Sequence, residues 1–289
     1  MTRSSALLLR LRNVPILTQL KMEEALFRVD KRSWLITNEW GPRGGTCSLT
    51  GMYHAPSDAI AVVLGISGKP SELVYEERAA AAGVPLLKRF SGGGTVIVDT
   101  NTVFVTFISA ADALPEVPAY PEPMLSWTSD IYADALARCG VDGFATHAND
   151  YCIHDRKFGG NAQSISGKRW LHHTSLLWDY EPERMSLLQE PRKRPEYRAE
   201  RPHGDFIRGL KATGLRDRTA LLDAIVDATS ERVDLTEVGI GEVQAALGAP
   251  HRQVTKVVAE PAEPALPGVA ELPKPTRLPL EVSEKKGPR

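Results

Sequence analysis

Lys88-Arg89-Phe90-Ser91-Gly92-Gly93-Gly94-Thr95 runs directly into Val96-Ile97-Val98-Asp99, a basic pair and three glycines followed by a β-rich segment. Glycine has no Cβ, so a run of it lets backbone approach a ligand closely, and arginine supplies planar, permanently charged donors. On its own the stretch reads equally as a glycine-rich hairpin turn. Its context narrows the choice. Apolar residues 59–65 before it read as a buried strand, 71–82 as a helix capped by Ser71 and stopped by Gly83, and 96–108 as a strand or hairpin broken at Asp99-Thr100-Asn101. The glycines therefore sit in a strand–loop–strand setting. Dinucleotide and P-loop phosphate motifs require strand, glycines and helix in that order, and neither GxGxxG nor GxxxxGK[ST] is present.

Outward from this stretch, residues 16–27 place Ile16, Leu17, Leu20, Met22, Ala25, Leu26 and Phe27 on one side of a 3.6-residue repeat, with Glu23 and Glu24 elsewhere and Thr18 as candidate cap. Residues 34–37 predict a short strand and 38–56, rich in glycine, a loop. Residues 115–123 hold Pro115, Pro118, Pro121 and Pro123 and read as a connection, followed by a helix over 126–139. A second glycine-bearing stretch then appears: Arg156-Lys157-Phe158-Gly159-Gly160-Asn161-Ala162-Gln163-Ser164, preceded by Asn149-Asp150. Strands are expected at 156–166 and 169–179, joined at Gly167-Lys168. Residues 182–200 read as a charged surface segment and 217–231 as a helix. Beyond about residue 245 the chain is rich in proline and charge, so we expect one catalytic domain over 1–245 and a largely disordered tail over 246–289.

Composition excludes several function classes. The chain has 289 residues, 42% hydrophobic and 25% charged, with a net charge of −1. Such a balance gives no general attraction to nucleic acid or anionic membrane, so anion recognition must be local. No apolar run approaches the roughly 20 residues that span a bilayer. Cys47, Cys139 and Cys152 form no CxxC pair, which fits a reducing, intracellular setting. Arg3, Arg10, Arg12 and Lys21 precede the first acid, Glu23, a pattern shared with organellar transit peptides, so cytoplasm and mitochondrion or plastid both stay open.

If the two glycine stretches lie on neighbouring strands, Arg89 and Lys157 face one anionic group from two sides, and Asp150 is positioned to hold Mg²⁺ through hard oxygen ligands. These parts suit nucleotidyl transfer. In order, Arg89-Phe90-Ser91-Gly92-Gly93-Gly94-Thr95-Val96, Asn149-Asp150, the Lys157 stretch and His172-His173-Thr174-Ser175-Leu176-Leu177 resemble the motif set of lipoate–protein ligases within the biotin/lipoate ligase family, over residues 14–210.

The resemblance implies an α+β catalytic domain with a mixed, largely antiparallel sheet flanked by helices. It implies ATP-dependent activation of lipoate to lipoyl-adenylate, then transfer to a lysine of a lipoyl-accepting domain of 2-oxoacid dehydrogenase complexes or of the glycine cleavage H protein. By the same carry-over Lys157 is catalytic, and Arg89, Ser91, Gly92, Gly93, Gly94, Thr95, Asn149, Gly160, Asn161, Ala162 and His173 bind substrate or adenylate. Asp150 would hold Mg²⁺, and Leu64, Phe90 and Val96 are candidates to house the acyl chain. Departures are visible: Gly65-Ile66-Ser67-Gly68-Lys69-Pro70 stands where relatives often carry Gly-Arg-x-Gln-Asn, and Val98 stands for a histidine. The tail after Ala245 does not resemble the C-terminal accessory domain that some lipoate ligases carry, so either adenylation proceeds without one or a partner chain supplies it. Rival readings are a cysteine-dependent octanoyl or lipoyl transferase using Cys152, biotin ligation, and a non-catalytic scaffold of the same fold.

Overall fold

The computed structural model describes residues 3–190 and 195–261. Its main sheet has eight strands in the spatial order Asp234–Glu237, Ser5–Arg12, Trp34–Glu39, Thr102–Ala110, Arg169–Leu177, Arg156–Ser166, Asp150–Ile153 and Phe144–His147. Ser5–Arg12 runs parallel to both its neighbours and every other pairing is antiparallel. The expected mixed, largely antiparallel α+β architecture is present.

Central strands are buried along nearly their whole length because helices cover both faces. All six residues of Trp34–Glu39 are buried. On one face the helices Pro121–Arg138 and Arg218–Ser230 pack Ile131, Tyr132 and Ile225 against Phe107 and Trp170. On the other, the helices Ile16–Val29 and Gly241–Gly248 pack Met22, Leu26, Phe27 and Val243 against Leu9, Ile36 and Leu171. A smaller sheet, in the order Lys256–Ala259, Leu86–Lys88, Ala61–Leu64 and Val96–Val98, lies beside the first helix. Ile16 and Leu20 touch its residues Val63, Leu87 and Val98 together with Phe104 of the main sheet. The first helix is thus the wedge between two sheets.

Several expectations change on inspection. The first helix begins at Ile16 behind Pro15 with no side-chain cap, so Thr18 lies inside it. Residues 38–56 contain a small hairpin, Gly45–Thr46 with Tyr53–His54. The helix expected over 71–82 breaks into Pro70–Leu73 and Glu76–Ala81, because Val74 leaves it to bridge Leu188 and the Tyr75 amide donates to Leu187 O. Pro121 and Pro123 sit in the first turn of the next long helix, where their missing N–H groups cost nothing. Val96–Val98 and Thr102–Ala110 belong to different sheets, so Asp99-Thr100-Asn101 is a crossing and not a hairpin turn. Ser5–Arg12 is a sheet strand with Leu9 and Leu11 buried and Arg10 paired to Asp223.

The expected boundary at 245 falls inside the helix Gly241–Gly248, and Lys256–Ala259 completes the small sheet. Its anchor is the fully buried Glu24 carboxylate, which accepts the amides of Val254 (2.9 Å) and Thr255 (2.8 Å) and pairs with Arg28. Residues 262–289 of the expected tail, and the Arg192-Lys193-Arg194 part of the charged segment, lie outside the described residues.

Glu24→Ala leaves two amides and a guanidinium without their shared acceptor. It should lower the unfolding free energy by about 3 kcal/mol and speed hydrogen exchange at Val254 and Thr255. Urea titration with exchange mass spectrometry reads both, and a loss near zero would show that solvent replaces the carboxylate.

Candidate active site

The glycine loop joins Leu86–Lys88 to Val96–Val98 and reaches the main sheet through the Gly92 amide, which donates to Gln163 O at 2.9 Å. Beneath it lies Arg89. Its guanidinium is buried and donates to Gly92 O (2.8 Å), Gly94 O (2.7 Å), Val63 O (3.3 Å) and Ser91 Oγ (3.1 Å). Arg89 therefore does not face an anion from across the cavity, as its charge had suggested. It holds the loop's carbonyls down. Burial pushes its pKa to about 10, which keeps it charged at neutral pH. The amides of Gly93 and Gly94 donate to no loop or turn carbonyl among the described residues. Gly93 has φ +100°, and a Cβ there would sit 2.9 Å from Arg89 Nη2 and 3.0 Å from Ala162 Cβ, so only glycine fits.

Ser91 is buried below the loop in a chain of polar contacts that begins on the first helix. Glu23, fully buried, accepts Gln19 Nε2 (2.7 Å) and Thr106 Oγ1 (2.8 Å) on one oxygen and faces His173 Nδ1 (3.0 Å) with the other. A carboxylate only accepts, so Nδ1 carries the hydrogen, and Nε2 receives the Ser91 hydroxyl at 3.1 Å. His173 is thereby fixed in orientation at the cavity wall.

Across the cavity, Lys157 Nζ pairs with Asp150 Oδ1 at 2.7 Å, and the Tyr197 hydroxyl donates to Asp150 Oδ2 at 2.7 Å. Asn161 Nδ2 donates to Asn149 O at 2.6 Å, which ties two sequence-selected stretches together. A Cβ at Gly160 would lie 3.4 Å from Lys157 Nζ, so this glycine borders the lysine's end.

The cavity between these walls has a volume of about 530 Å³. Every site residue selected from the sequence lines it except Ser91, which supports the loop from below. The apolar lobe is formed by Ile16, Leu20, Val63, Val96, Val98 and Phe104. Of the expected chain-housing residues only Val96 contributes. Leu64 belongs to the core of the small sheet, and Phe90 packs in a tilted pair with Phe27 at 5.8 Å. The Thr95 hydroxyl is buried without a partner among the described residues. Gln19, Glu23 and Tyr197 were missed from the sequence. Glu23 looked solvent-facing because its partners, Thr106 and His173, come from strands far along the chain.

Among the described residues Asp150 is the only carboxylate lining the cavity, and no group of three or more His, Cys, Asp or Glu could hold a metal ion. Mg²⁺ commonly takes one or two protein carboxylates plus phosphate oxygens and water, so Asp150 fits it as a single protein ligand.

The profile of the lipoyl protein ligase A/B catalytic domain matches residues 51–217. The chain belongs to that family. The "Inactive lipoate–protein ligase 2" of Plasmodium falciparum is 27% identical over 234 residues, covering 68% of this chain and 61% of that protein's length. Two solved structures share the fold with a TM-score of 0.65 at 16% identity, over 84% of this chain and 92% of theirs. One is a putative lipoate protein ligase from T. acidophilum with bound lipoic acid, and the other a lipoate–protein ligase A bound with ATP. A relative named inactive means that family membership alone does not decide catalysis.

The remaining titratable groups near the cavity are structural. His172 is fully buried; its Nδ1 accepts from Gln163 Nε2 (2.9 Å), which leaves Nε2–H to donate to the Tyr151 hydroxyl (2.8 Å). Burial, helped by the neighbouring His173, pushes its pKa down to about 3. In the unfolded chain an ordinary histidine titrates near 6.5, so the neutral form stabilises the fold above that pH and the benefit is lost on acidification from about pH 6.5 toward 3. Unfolding free energy should fall by up to ~1.4 kcal/mol per pH unit between pH 6 and 4 from this group. His172→Gln should give a shallower slope by up to one proton in denaturant titrations, and identical slopes would show that the buried imidazole is charged.

Proposed function

We propose that the protein is an ATP-dependent lipoate–protein ligase. The observation that carries this reading is Lys157, held by Asp150 at the edge of a cavity whose other wall is the glycine loop and whose floor is apolar. An eight-carbon acyl chain fits the apolar lobe, where about 0.8 kcal/mol per buried CH₂ gives on the order of 5 kcal/mol. Its carboxylate would then lie near the free amides of Gly93 and Gly94 and near Lys157. The carboxylate oxygen attacks the α-phosphorus of ATP, the bond to pyrophosphate breaks, and the product is acyl-adenylate. Lys157 exchanges Asp150 for the oxygens on which charge accumulates, a preorganised contribution that is usually the largest in such sites. Mg²⁺, when bound, would neutralise phosphate charge, with Asp150 as its protein ligand. In the second step a lysine amine of a lipoyl-accepting domain attacks the acyl carbon and AMP leaves.

A cysteine-dependent transferase needs an accessible thiolate. Cys152 is buried, does not line the cavity, and lies 3.6 Å from the Tyr197 hydroxyl; burial pushes its thiol above the ordinary value. Geometry therefore favours the ligase over the transferase. The name of the Plasmodium relative favours one competitor, a scaffold without turnover.

ATP–pyrophosphate exchange tests the reading. Exchange is expected with lipoate or octanoate and not with biotin; no exchange with any of the three would sink the adenylation hypothesis. Lys157→Ala should cut the rate by about 10²–10³-fold with the fold intact by circular dichroism. Cys152→Ser should keep most of the activity, whereas complete loss would bring back the transferase.

A further inference from the structure

Asp150 is gripped from two sides, and only one grip comes from the cavity. Tyr197 reaches it from a separate segment that bridges to Lys157 of the Arg156–Ser166 strand through Ile207. This segment is firmly attached: the Tyr197 ring lies 5.0 Å from His147 and 5.2 Å from Phe206, Arg201 pairs with Asp155 (2.6 Å) and donates to Tyr197 O, and the Arg208 amide donates to Lys157 O at 2.8 Å. The Tyr197 hydroxyl donates to Asp150 Oδ2 at 2.7 Å.

Resting on the ligase reading, we propose that Tyr197 is a positioning residue that keeps Asp150 in place when Lys157 leaves it for substrate oxygens. Without Lys157 the Asp150 carboxylate would carry an uncompensated charge beside the incoming phosphates. The Tyr197 hydrogen bond offsets part of that charge and fixes the carboxylate against the hairpin, where it can accept Mg²⁺ without swinging into the nucleotide. A charge-assisted hydrogen bond from a rigid segment suits this task.

The test compares wild type, Tyr197→Phe, Asp150→Asn and the double variant in ATP–pyrophosphate exchange across a Mg²⁺ titration. Phenylalanine keeps the ring contacts with His147 and Phe206 and removes only the hydroxyl. Tyr197→Phe should lower kcat by about tenfold, raise the Mg²⁺ needed for half-maximal rate, and leave the KM for lipoate unchanged. In the Asp150→Asn background the same change should cost nothing further. Equal rates for wild type and Tyr197→Phe, or full multiplication of the two losses, would overturn the proposal while leaving the ligase reading intact. A second readout does not depend on turnover: acylation of lysines by an amine-reactive ester, followed by peptide mass spectrometry, should change the labelling rate of Lys157 several-fold in Tyr197→Phe, because the carboxylate that pairs with Lys157 is no longer held by the hydroxyl. Unchanged labelling would refute the positioning role even if the wild type showed no exchange, an outcome that would separately defeat the ligase reading.

Discussion

The guanidinium of Arg89 is the constraint from which the site follows. A run of three glycines has no preferred conformation, and ordering it costs more backbone entropy than ordering any other residues. Arg89 offsets that cost by donating to the carbonyls of Gly92, Gly94 and Val63 from within the protein. With those carbonyls drawn inward, the Gly93 and Gly94 amides donate to no loop or turn carbonyl among the described residues. The same guanidinium donates to Ser91, whose hydroxyl reaches His173 and, through it, the buried Glu23. One buried cation thus sets both the loop's shape and the cavity wall that Glu23 of the first helix braces.

The cavity lies where the first helix packs against two sheets. Ile16 and Leu20 occupy the gap on its apolar side, while Gln19 and Glu23 on the same helix face strands that supply Asn38, Thr106 and His173. An apolar lobe next to a fully satisfied polar chain results. Buried polar groups left unpaired would destabilise this junction, whereas a connected network specifies one arrangement of the two sheets. The Glu24 contacts to Val254 and Thr255 extend the logic to the C-terminal strand, which pairs with Leu86–Lys88 next to Arg89.

Local pattern made much of this legible. The Arg156–Ser166 and Arg169–Leu177 strands and their turn at Gly167-Lys168 follow from alternation and turn chemistry, and they lie where the sequence placed them. Loop glycines, Lys157, Asp150 and Asn161 share one cavity because the motifs flank adjacent elements. What escaped reading depends on distant partners. Glu23 and Glu24 look like a helix's wet face until Thr106, His173 and Thr255 arrive from elsewhere, and Tyr197 sits in a proline- and arginine-rich run that resembles surface. Arg89 was legible as important, but its direction was not, because charge alone does not say whether a guanidinium faces ligand or backbone.

The two departures from the ligase pattern acquire a physical meaning in this frame. Val98 is buried and belongs to the apolar cluster of Ile16, Val63 and Phe104, so a polar side chain often found there is replaced by cavity floor. Gly65 lies against the loop so closely that a Cβ would come within 2.4 Å of Gly93 O, and the Ile66 amide donates to Ser91 O. Lys69, a few residues on, pairs with Glu72 on the surface and does not turn into the cavity. The segment from Gly65 to Pro70 therefore acts on the site through backbone contact with the glycine loop and presents no charged side chain to a ligand. Under the proposed ligase reading, recognition on that side would fall to loop amides and apolar area, and the charged work to Lys157.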